Sequence, residues 1–300
     1  MVSALGLTLA GAMGEVCDVA YMKAPVERSQ QGMALWGNWL MAFENGGRCC
    51  VYDRSGDGLR LDGVFEVESS SPSNHCNQAN FGVEQLSGAE VPVVYLTVGK
   101  PGSPLDMRCH VESISRENGE WRSRLVQTID LDTAGWHSSG LNTIFGSPSW
   151  LIDRERDALW VFSARLRTLP RTTGSFDRNK YVATRLRFPR LAEGGHVTLT
   201  TADVLEQVVF DMDVYVTQSG CMHDGKIFYS FGFGEGHPDS PSRVRVYDTD
   251  KRMVSARVDL DSLIPEECEA VMIDGDRMLI NTNSRKIYAA PVPVLSGKSR

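Results

Sequence analysis

The chain of 300 residues has no apolar run long enough to cross a bilayer, since a membrane-spanning helix needs about eighteen or more consecutive apolar residues. We therefore expect no membrane span. The apolar opening, Val2 to Gly14, resembles the middle of a signal peptide but lacks the basic residues that normally precede one. A first strand or loop is the favoured interpretation of this segment, with a trimmed or atypical signal as the alternative.

An excess of positive charge is also missing. The chain has 31 Lys and Arg residues against 38 Asp and Glu residues, which gives a net charge of −7. Proteins that bind nucleic acid or anionic membranes non-specifically need a basic face. The charge balance therefore argues against a nucleic-acid partner and favours a soluble protein, while the oligomeric state stays open.

The seven cysteines show none of the spacings that indicate a zinc site, and no Cys-x-x-Cys pair occurs. Their number is odd, and adjacent Cys49 and Cys50 would point to opposite faces of a strand. We expect mostly free thiols in a reducing compartment. This favours a cytoplasmic location, with secretion or the cell envelope as the alternative. The cysteines are Cys17, Cys49, Cys50, Cys76, Cys109, Cys221 and Cys268.

Helical periodicity is nearly absent, and only Thr201 to Val209 could form a short helix. No phosphate-binding loop, dinucleotide fingerprint or nucleophile elbow is present. The glycine-rich stretch Gly232 to Gly236 lacks the strand and helix that flank such loops, so we predict a wide hairpin loop there. An all-β fold is the prediction that remains.

In place of helices, the sequence contains a repeated hairpin pattern. Short β-branched or aromatic runs flank tight polar turns, and residues such as Asp-Gly in those turns tolerate the backbone angles of a hairpin. A second strand–turn–strand unit follows, opened by similar Val-Tyr-Asp triplets at Val51 and Val246. The hairpins occupy Leu35 to Phe43, Leu151 to Phe162, Cys221 to Tyr229 and Val271 to Ile280.

Repetition of this four-strand unit at an irregular period predicts a single-domain β-propeller of five blades, with six as the alternative. The predicted blades are residues 31–68, 75–131, 145–210, 218–260 and 267–292. The last blade contributes fewer strands than the others, so we predict that residues 15–23 supply its missing strand. Closing the ring in this way removes sheet edges that would invite aggregation.

A small polar signature precedes each hairpin. Inner strands line the axial channel of a propeller, so their first residues should gather at one mouth, where residues distant in sequence can form a binding site. The candidate ligand-binding residues are Gln31, His75, Asn77, Gln218, Glu267 and Glu269, with Trp150 as a possible stacking platform beside Trp136 and Trp36.

Three interpretations of this set stay open. Polar side chains bridged by water could simply fill the axis. They could instead bind a small molecule or a glycan. The oxygens of Asn, Gln and Glu with one histidine could also suit a hard cation such as calcium. No other cofactor is expected.

Short motifs follow one another in order along most of the chain. They are Gln31-Gly32, His75 and Asn77 with Phe81-Gly82, Val126 to Ile129, Gln218 with Gly220, and Glu267 with Glu269. Together these motifs resemble a group of bacterial five-bladed propellers, distantly similar to teichoic-acid biosynthesis protein C and to phage receptor-binding propeller domains. The resemblance implies the propeller fold and recognition of a sugar-containing or polyol-phosphate polymer.

Three function classes are compatible with these residues. The first is a ligand-recognition module that binds a small polar molecule or glycan at the channel mouth. The second is a glycan-cleaving hydrolase or lyase that uses His75 with Glu267 or Glu269; a glycosidase would need a second carboxylate from another blade. The third is a protein-interaction scaffold.

Overall fold

The computed structural model describes eight stretches of the chain, which are residues 20–23, 30–56, 58–99, 106–166, 179–215, 217–260, 263–284 and 286–292. Within them the fold is all-β, with two short 3-10 turns at Leu191–Glu193 and Thr201–Asp203. A strand follows the second turn directly, so the short helix considered from Thr201 to Val209 is not formed. None of the described helical segments is long and apolar enough to cross a membrane.

The strands form five sheets, which are the blades of a β-propeller. Blade 1 contains β2 (Gln30–Trp36), β3 (Trp39–Glu44), β4 (Arg48–Asp53) and β5 (Arg60–Glu66). Blade 2 contains β6 (Ala79–Phe81), β7 (Val94–Thr97), β8 (Arg108–Glu117), β9 (Glu120–Leu131) and β13 (His196–Leu199). Blade 3 contains β10 (Ser149–Asp153), β11 (Ala158–Ala164), β12 (Lys180–Leu186) and β14 (Val204–Asp211).

Blade 4 contains β15 (Thr217–His223), β16 (Lys226–Phe231), β17 (Arg243–Asp248) and β18 (Met253–Asp259). Blade 5 contains β19 (Cys268–Asp274), β20 (Arg277–Thr282), β21 (Lys286–Pro291) and β1 (Ala20–Lys23). The innermost strands β2, β6, β10, β15 and β19 contact one another in this cyclic order. They therefore surround one axis, and the prediction of five blades is confirmed.

The N-terminal strand closes the ring as predicted. β1 pairs antiparallel with β21, and the register places Ala20 opposite Ala289 and Lys23 opposite Lys286. The remainder of the predicted closing segment, residues 15–19, and the apolar opening lie outside the described residues. Pairing of β1 with β21 gives blade 5 its fourth strand and covers the edge of β21.

Blade 2 has a fifth strand that the sequence analysis placed in blade 3. β13 leaves the connection between β12 and β14 and pairs in parallel with β9, with His196 opposite Thr128 and Leu199 opposite Leu131. The side chain of Gln127 anchors this connection by donating to the backbone carbonyl of Gly194 at 2.9 Å. The segment covers an edge of β9 that would otherwise be open to pairing with another chain.

Aromatic side chains fill the space between blades 3 and 4. Phe162 lies 5.2 Å from Tyr181 and 4.9 Å from Tyr229, measured between ring centroids. The buried Tyr229 hydroxyl donates to the carbonyl of Gln218 at 2.9 Å and lies 2.6 Å from the hydroxyl oxygen of Ser149. This apolar layer therefore fixes the backbone at the start of two inner strands, where the candidate site residues lie.

The six described cysteines are free and buried, in agreement with the expectation of free thiols, and Cys17 lies outside the described residues. Burial is the main cause that raises the pKa of Cys76, Cys221 and Cys268 above the usual thiol value. These thiols therefore pack as small apolar side chains.

Candidate functional site

The inner strands begin at one end of the axial channel, which we call the entry mouth, and three of them begin with the same irregularity. The strand register shifts between Gln30 and Met33 in β2, between Thr217 and Gly220 in β15, and between Cys268 and Ala270 in β19. A β-bulge of this kind redirects side chains at the edge of a sheet. The bulges contain Gln31, Gln218 and Glu269, three of the predicted site residues.

Glycine at position 32 allows blades 1 and 2 to meet closely at this level. The Gly32 amide donates to the carbonyl oxygen of Cys76 at 2.7 Å. A Cβ atom at position 32 would lie 2.6 Å from that same oxygen, which is closer than real Cβ contacts. Cys76 itself has a positive φ of 49°. Close backbone packing thus explains the glycine of the Gln31-Gly32 motif, and the Gln31 side chain explains the other position.

Two amide–carboxyl pairs form at the entry mouth. Gln31 of blade 1 donates from Nε2 to Oε1 of Glu269 in blade 5 at 3.2 Å. Gln218 of blade 4 donates from Nε2 to Oε1 of Glu267. Asn283 donates to the other oxygen of Glu267 at 2.9 Å. The structure therefore brings four of the predicted residues together from three blades.

Both carboxyl groups are difficult to ionise. Glu269 is only 5% exposed, and burial, followed by the nearby negative charge of Glu267, raises its pKa well above the usual value. Burial also raises the pKa of Glu267, against the hydrogen bonds from Gln218 and Asn283 that lower it. Neither carboxyl makes an ion pair within the described part of the chain. The mouth is therefore acidic in composition but favours neutral carboxyl groups.

Glu269→Gln is expected to raise the free energy of unfolding at neutral pH. The folded chain holds a proton on Glu269 that the unfolded chain releases, so stability is full below the unfolded pKa, near 4.5, and falls as pH rises towards the folded pKa. Replacing the carboxyl with an amide removes this loss, which amounts to about 1.4 kcal/mol per pH unit in that window. Urea denaturation at several pH values measures the difference.

The control for this experiment is Glu120→Gln, which changes an exposed carboxylate on the outer part of blade 2. This variant should follow the wild-type pH dependence. If Glu269→Gln also kept the wild-type slope between pH 5 and pH 8, the carboxyl would be ionised in the folded chain and our account of its environment would be wrong.

His75 and Asn77 lie at the junction of blades 1 and 2. The Nδ1 atom of His75 contacts the side-chain oxygen of Asn45 in the turn between β3 and β4, and the His75 amide donates to the Val98 carbonyl at 2.7 Å. The Asn77 side-chain oxygen is buried and makes no hydrogen bond among the described residues. A catalytic pairing of His75 with Glu267 remains a prediction.

The tryptophans suggested as stacking platforms are placed differently. Trp150 and Trp136 are both 0% exposed and pack in one apolar cluster with Tyr95 and Leu159. Trp36 is partly exposed at the opposite end of the channel, where the Arg154 guanidinium lies 4.1 Å from its ring centroid. We therefore exclude Trp150 from the proposed site, because packing between neighbouring blades leaves none of its surface accessible.

Gln78 is a site residue that the sequence analysis missed. Its Nε2 donates to the Gly220 carbonyl at 2.5 Å, and its Oε1 accepts from the Ser219 hydroxyl at 2.7 Å and the Gly220 amide at 3.1 Å. The side chain reaches from blade 2 to blade 4, past blade 3, and is fully buried. It therefore closes the axial channel below the entry mouth.

Asn283 and Asn281 were also missed. Asn281 donates to the backbone carbonyl of Gln31 at 2.8 Å, while Asn283 bonds to Glu267. Both asparagines follow the last hairpin, in the sequence Ile-Asn-Thr-Asn, where two amides at the end of an otherwise apolar strand were a usable signal. Gln78 directly follows the His75 and Asn77 motif, and this position was a similar signal in the sequence.

The described residues contain no group of three or more histidine, cysteine, aspartate or glutamate side chains that could hold a metal ion. Glu267 and Glu269 are instead held by neutral amide groups. This donor set suits hydrogen bonding to a ligand better than coordination of calcium, which prefers six to eight oxygen ligands.

No protein-family model matches the chain, and no curated protein is significantly similar to it. Among solved structures, the chain is similar to glutaminyl cyclase of Myxococcus xanthus, with a TM-score of 0.49 and 9% sequence identity. The match covers 92% of this chain and 96% of that chain. A similarity as weak as this says nothing about the activity of the present chain. The resemblance to teichoic-acid and phage receptor-binding propellers remains a prediction.

Proposed function

We propose that the entry mouth binds a small polar ligand that donates hydrogen bonds, and that a primary amine fits it best. Glu269 uses Oε1 to accept from Gln31, whereas its Oε2 makes no hydrogen bond with the described residues. Glu269 is only 5% exposed, so a carboxyl oxygen without a donor there has little contact with water and no hydrogen-bond partner in return. A ligand N–H or O–H group can supply that partner, and this observation carries the proposal.

Charge favours an amine over a neutral hydroxyl group. Glu267 and Glu269 share the mouth, where burial and the negative charge of Glu267 both raise the pKa of Glu269. An ammonium group placed between them would favour ionisation of at least one carboxyl. Binding would then release protons, and affinity would rise with pH through the range in which Glu269 titrates in the free protein.

The surroundings support a preformed site. The carboxyl groups are oriented by amides from blades 1, 4 and 5, and these amides lie in or beside β-bulges that the sheets hold in place. Binding sites of this kind work best when the contacting groups are fixed before the ligand arrives. The ordered amide–carboxyl pairs therefore fit recognition better than simple filling of the axis with water.

Isothermal titration calorimetry with glucosamine, and with methyl glucoside as its uncharged counterpart, tests the proposal. Wild-type protein should bind glucosamine more tightly and release protons, detected as a dependence of the measured enthalpy on the buffer's ionisation enthalpy. Glu269→Gln and Glu267→Gln should each weaken glucosamine binding at least tenfold, since a hydrogen bond to a charged group contributes about 1.5–3 kcal/mol. Glu120→Gln should bind like wild type.

Other outcomes would change the conclusion. Equal affinity for both sugars, unaffected by either substitution, would contradict the role of the carboxyl groups. Binding of neutral oligosaccharides on a glycan array, lost in Gln31→Ala, would support the glycan ligand in place of the amine. Turnover of a polysaccharide that disappears in Glu269→Gln would assign catalysis to this mouth.

A further inference from the structure

The end of the axial channel opposite the entry mouth contains a cavity of about 90 Å³, which we call the exit cavity. Gln78 separates it from the entry mouth, because Asn80, the next residue of blade 2 facing the axis, lines the cavity. Its lining comes from all five blades and combines apolar side chains with the polar side chains of Asn80, Arg154, Glu155 and His223. The apolar lining residues are Leu35, Phe81, Ile152, Met222, Met272 and Ile273.

Arg154 lies at the rim of this cavity and is held in a fixed position. Its guanidinium carbon lies 4.1 Å from the centroid of the Trp36 ring, and its Nε donates to the Gly82 carbonyl at 3.1 Å. These contacts use one face and one N–H group of the guanidinium. Its two terminal nitrogens make no hydrogen bond with the described residues, so a planar pair of donors stays available.

Arg154 also makes no ion pair within the described part of the chain. Arg108, Arg156 and Arg190, by contrast, each bind an aspartate at 2.5–2.7 Å. Glu155 follows Arg154 in sequence, but it contacts the Nδ1 atom of His223 at 3.2 Å. The rim therefore presents a fixed cation that forms no ion pair with the described residues, although the Glu155 carboxylate lines the same cavity.

We propose that the exit cavity binds a small aliphatic carboxylate, with its carboxylate group on Arg154 and its tail among the apolar side chains of the inner strands. Arg favours bidentate contacts with carboxylates, and the six apolar side chains of the lining favour a short hydrocarbon tail. A volume of about 90 Å³ holds roughly three water-sized groups. Tails of three or four carbons, as in butyrate and isovalerate, match this size.

Ligand-observed NMR with butyrate tests the proposal, with acetate and butyramide as probes that lack the tail or the charge. Butyrate should show saturation transfer at millimolar concentration and bind at least tenfold more tightly than either control. Arg154→Gln should lower butyrate affinity about tenfold or more. Glu155→Gln should raise it, because removal of a neighbouring negative charge favours the bound anion.

Two further variants separate this site from general effects. Ile273→Phe, which adds bulk to the cavity wall, should block butyrate while leaving glucosamine binding at the entry mouth unchanged. Arg116→Gln changes another arginine beside a tryptophan, 5.5 Å from the Trp121 ring, and should leave butyrate binding intact. Equal binding of acetate and butyrate, or wild-type affinity in both Arg154→Gln and Ile273→Phe, would overturn the proposal.

Discussion

Gly220→Ala is expected to lower the free energy of unfolding by about 3 kcal/mol or more. The added Cβ would overlap the carbonyl oxygen of Phe228 on the neighbouring strand and lie 2.9 Å from the Tyr229 Cα. Both obstacles belong to the backbone, so no side-chain rotation can relieve them. Overpacking in a rigid environment costs about 1–3 kcal/mol and sometimes more, and here relief would require β15 and β16 to separate.

The substitution should also affect the entry mouth, because Gly220 is the last residue of the bulge that contains Gln218. Separation of the two strands would displace the amide that holds Glu267 and would break the hydrogen bonds between Gly220 and Gln78. We therefore expect glucosamine binding to be lost together with stability. Urea denaturation followed by tryptophan fluorescence measures the first effect, and calorimetry measures the second.

Gly195→Ala is the matched control for this substitution. The nearest atom to a Cβ at Gly195 is the Val126 carbonyl oxygen at 4.0 Å, an ordinary contact. Its stability should stay within about 0.5 kcal/mol of wild type, as for most exposed substitutions. A Gly220→Ala variant that was equally stable would show that the bulge is soft, and our explanation for glycine at that position would be wrong.

The number of blades could be predicted from the sequence because the residues of a hairpin turn are determined by the local backbone angles of that turn. Asp224 and Gly225, for example, take positive φ values of 46° and 69°, as an Asp-Gly hairpin turn requires. The position of β13 was not accessible in this way. Four residues from His196 to Leu199 can pair with any free edge within reach, and their choice of β9 depends on contacts such as that of Gln127 with the distant Gly194 carbonyl.

The same distinction applies to the candidate site. The positions of Gln31 and Glu269 before their hairpins predicted that they would converge, and the structure pairs them. The register shifts that turn them towards each other depend on how neighbouring strands pack, which no local pattern reports. Trp150 looked equivalent in sequence, but burial between blades 2 and 3 decides its environment.

Gln78→Ala is expected to lower the free energy of unfolding by about 3 kcal/mol. It removes three hydrogen bonds, leaves the Gly220 amide without its cross-axis partner, and leaves the Gly220 carbonyl with only the longer bond from Asn80, at 3.4 Å. An unsatisfied buried group costs about 1–3 kcal/mol, and the space left by the side chain adds to this unless water fills it. Gln85→Ala removes one exposed hydrogen bond, at 2.8 Å to the Ala89 carbonyl, and should change stability little.

Gln78→Glu separates loss of shape from loss of hydrogen bonding. A glutamate keeps the size of the side chain, but when ionised it would face the Gly220 carbonyl oxygen that Gln78 now binds through Nε2. The buried carboxyl should therefore stay protonated in the folded chain, and the stability of this variant should fall as pH rises above the unfolded pKa. Gln78→Ala should show no such added slope. If both variants were as stable as wild type at every pH, the hydrogen bonds of Gln78 across the axis would contribute little to stability, and our account of this residue would be wrong.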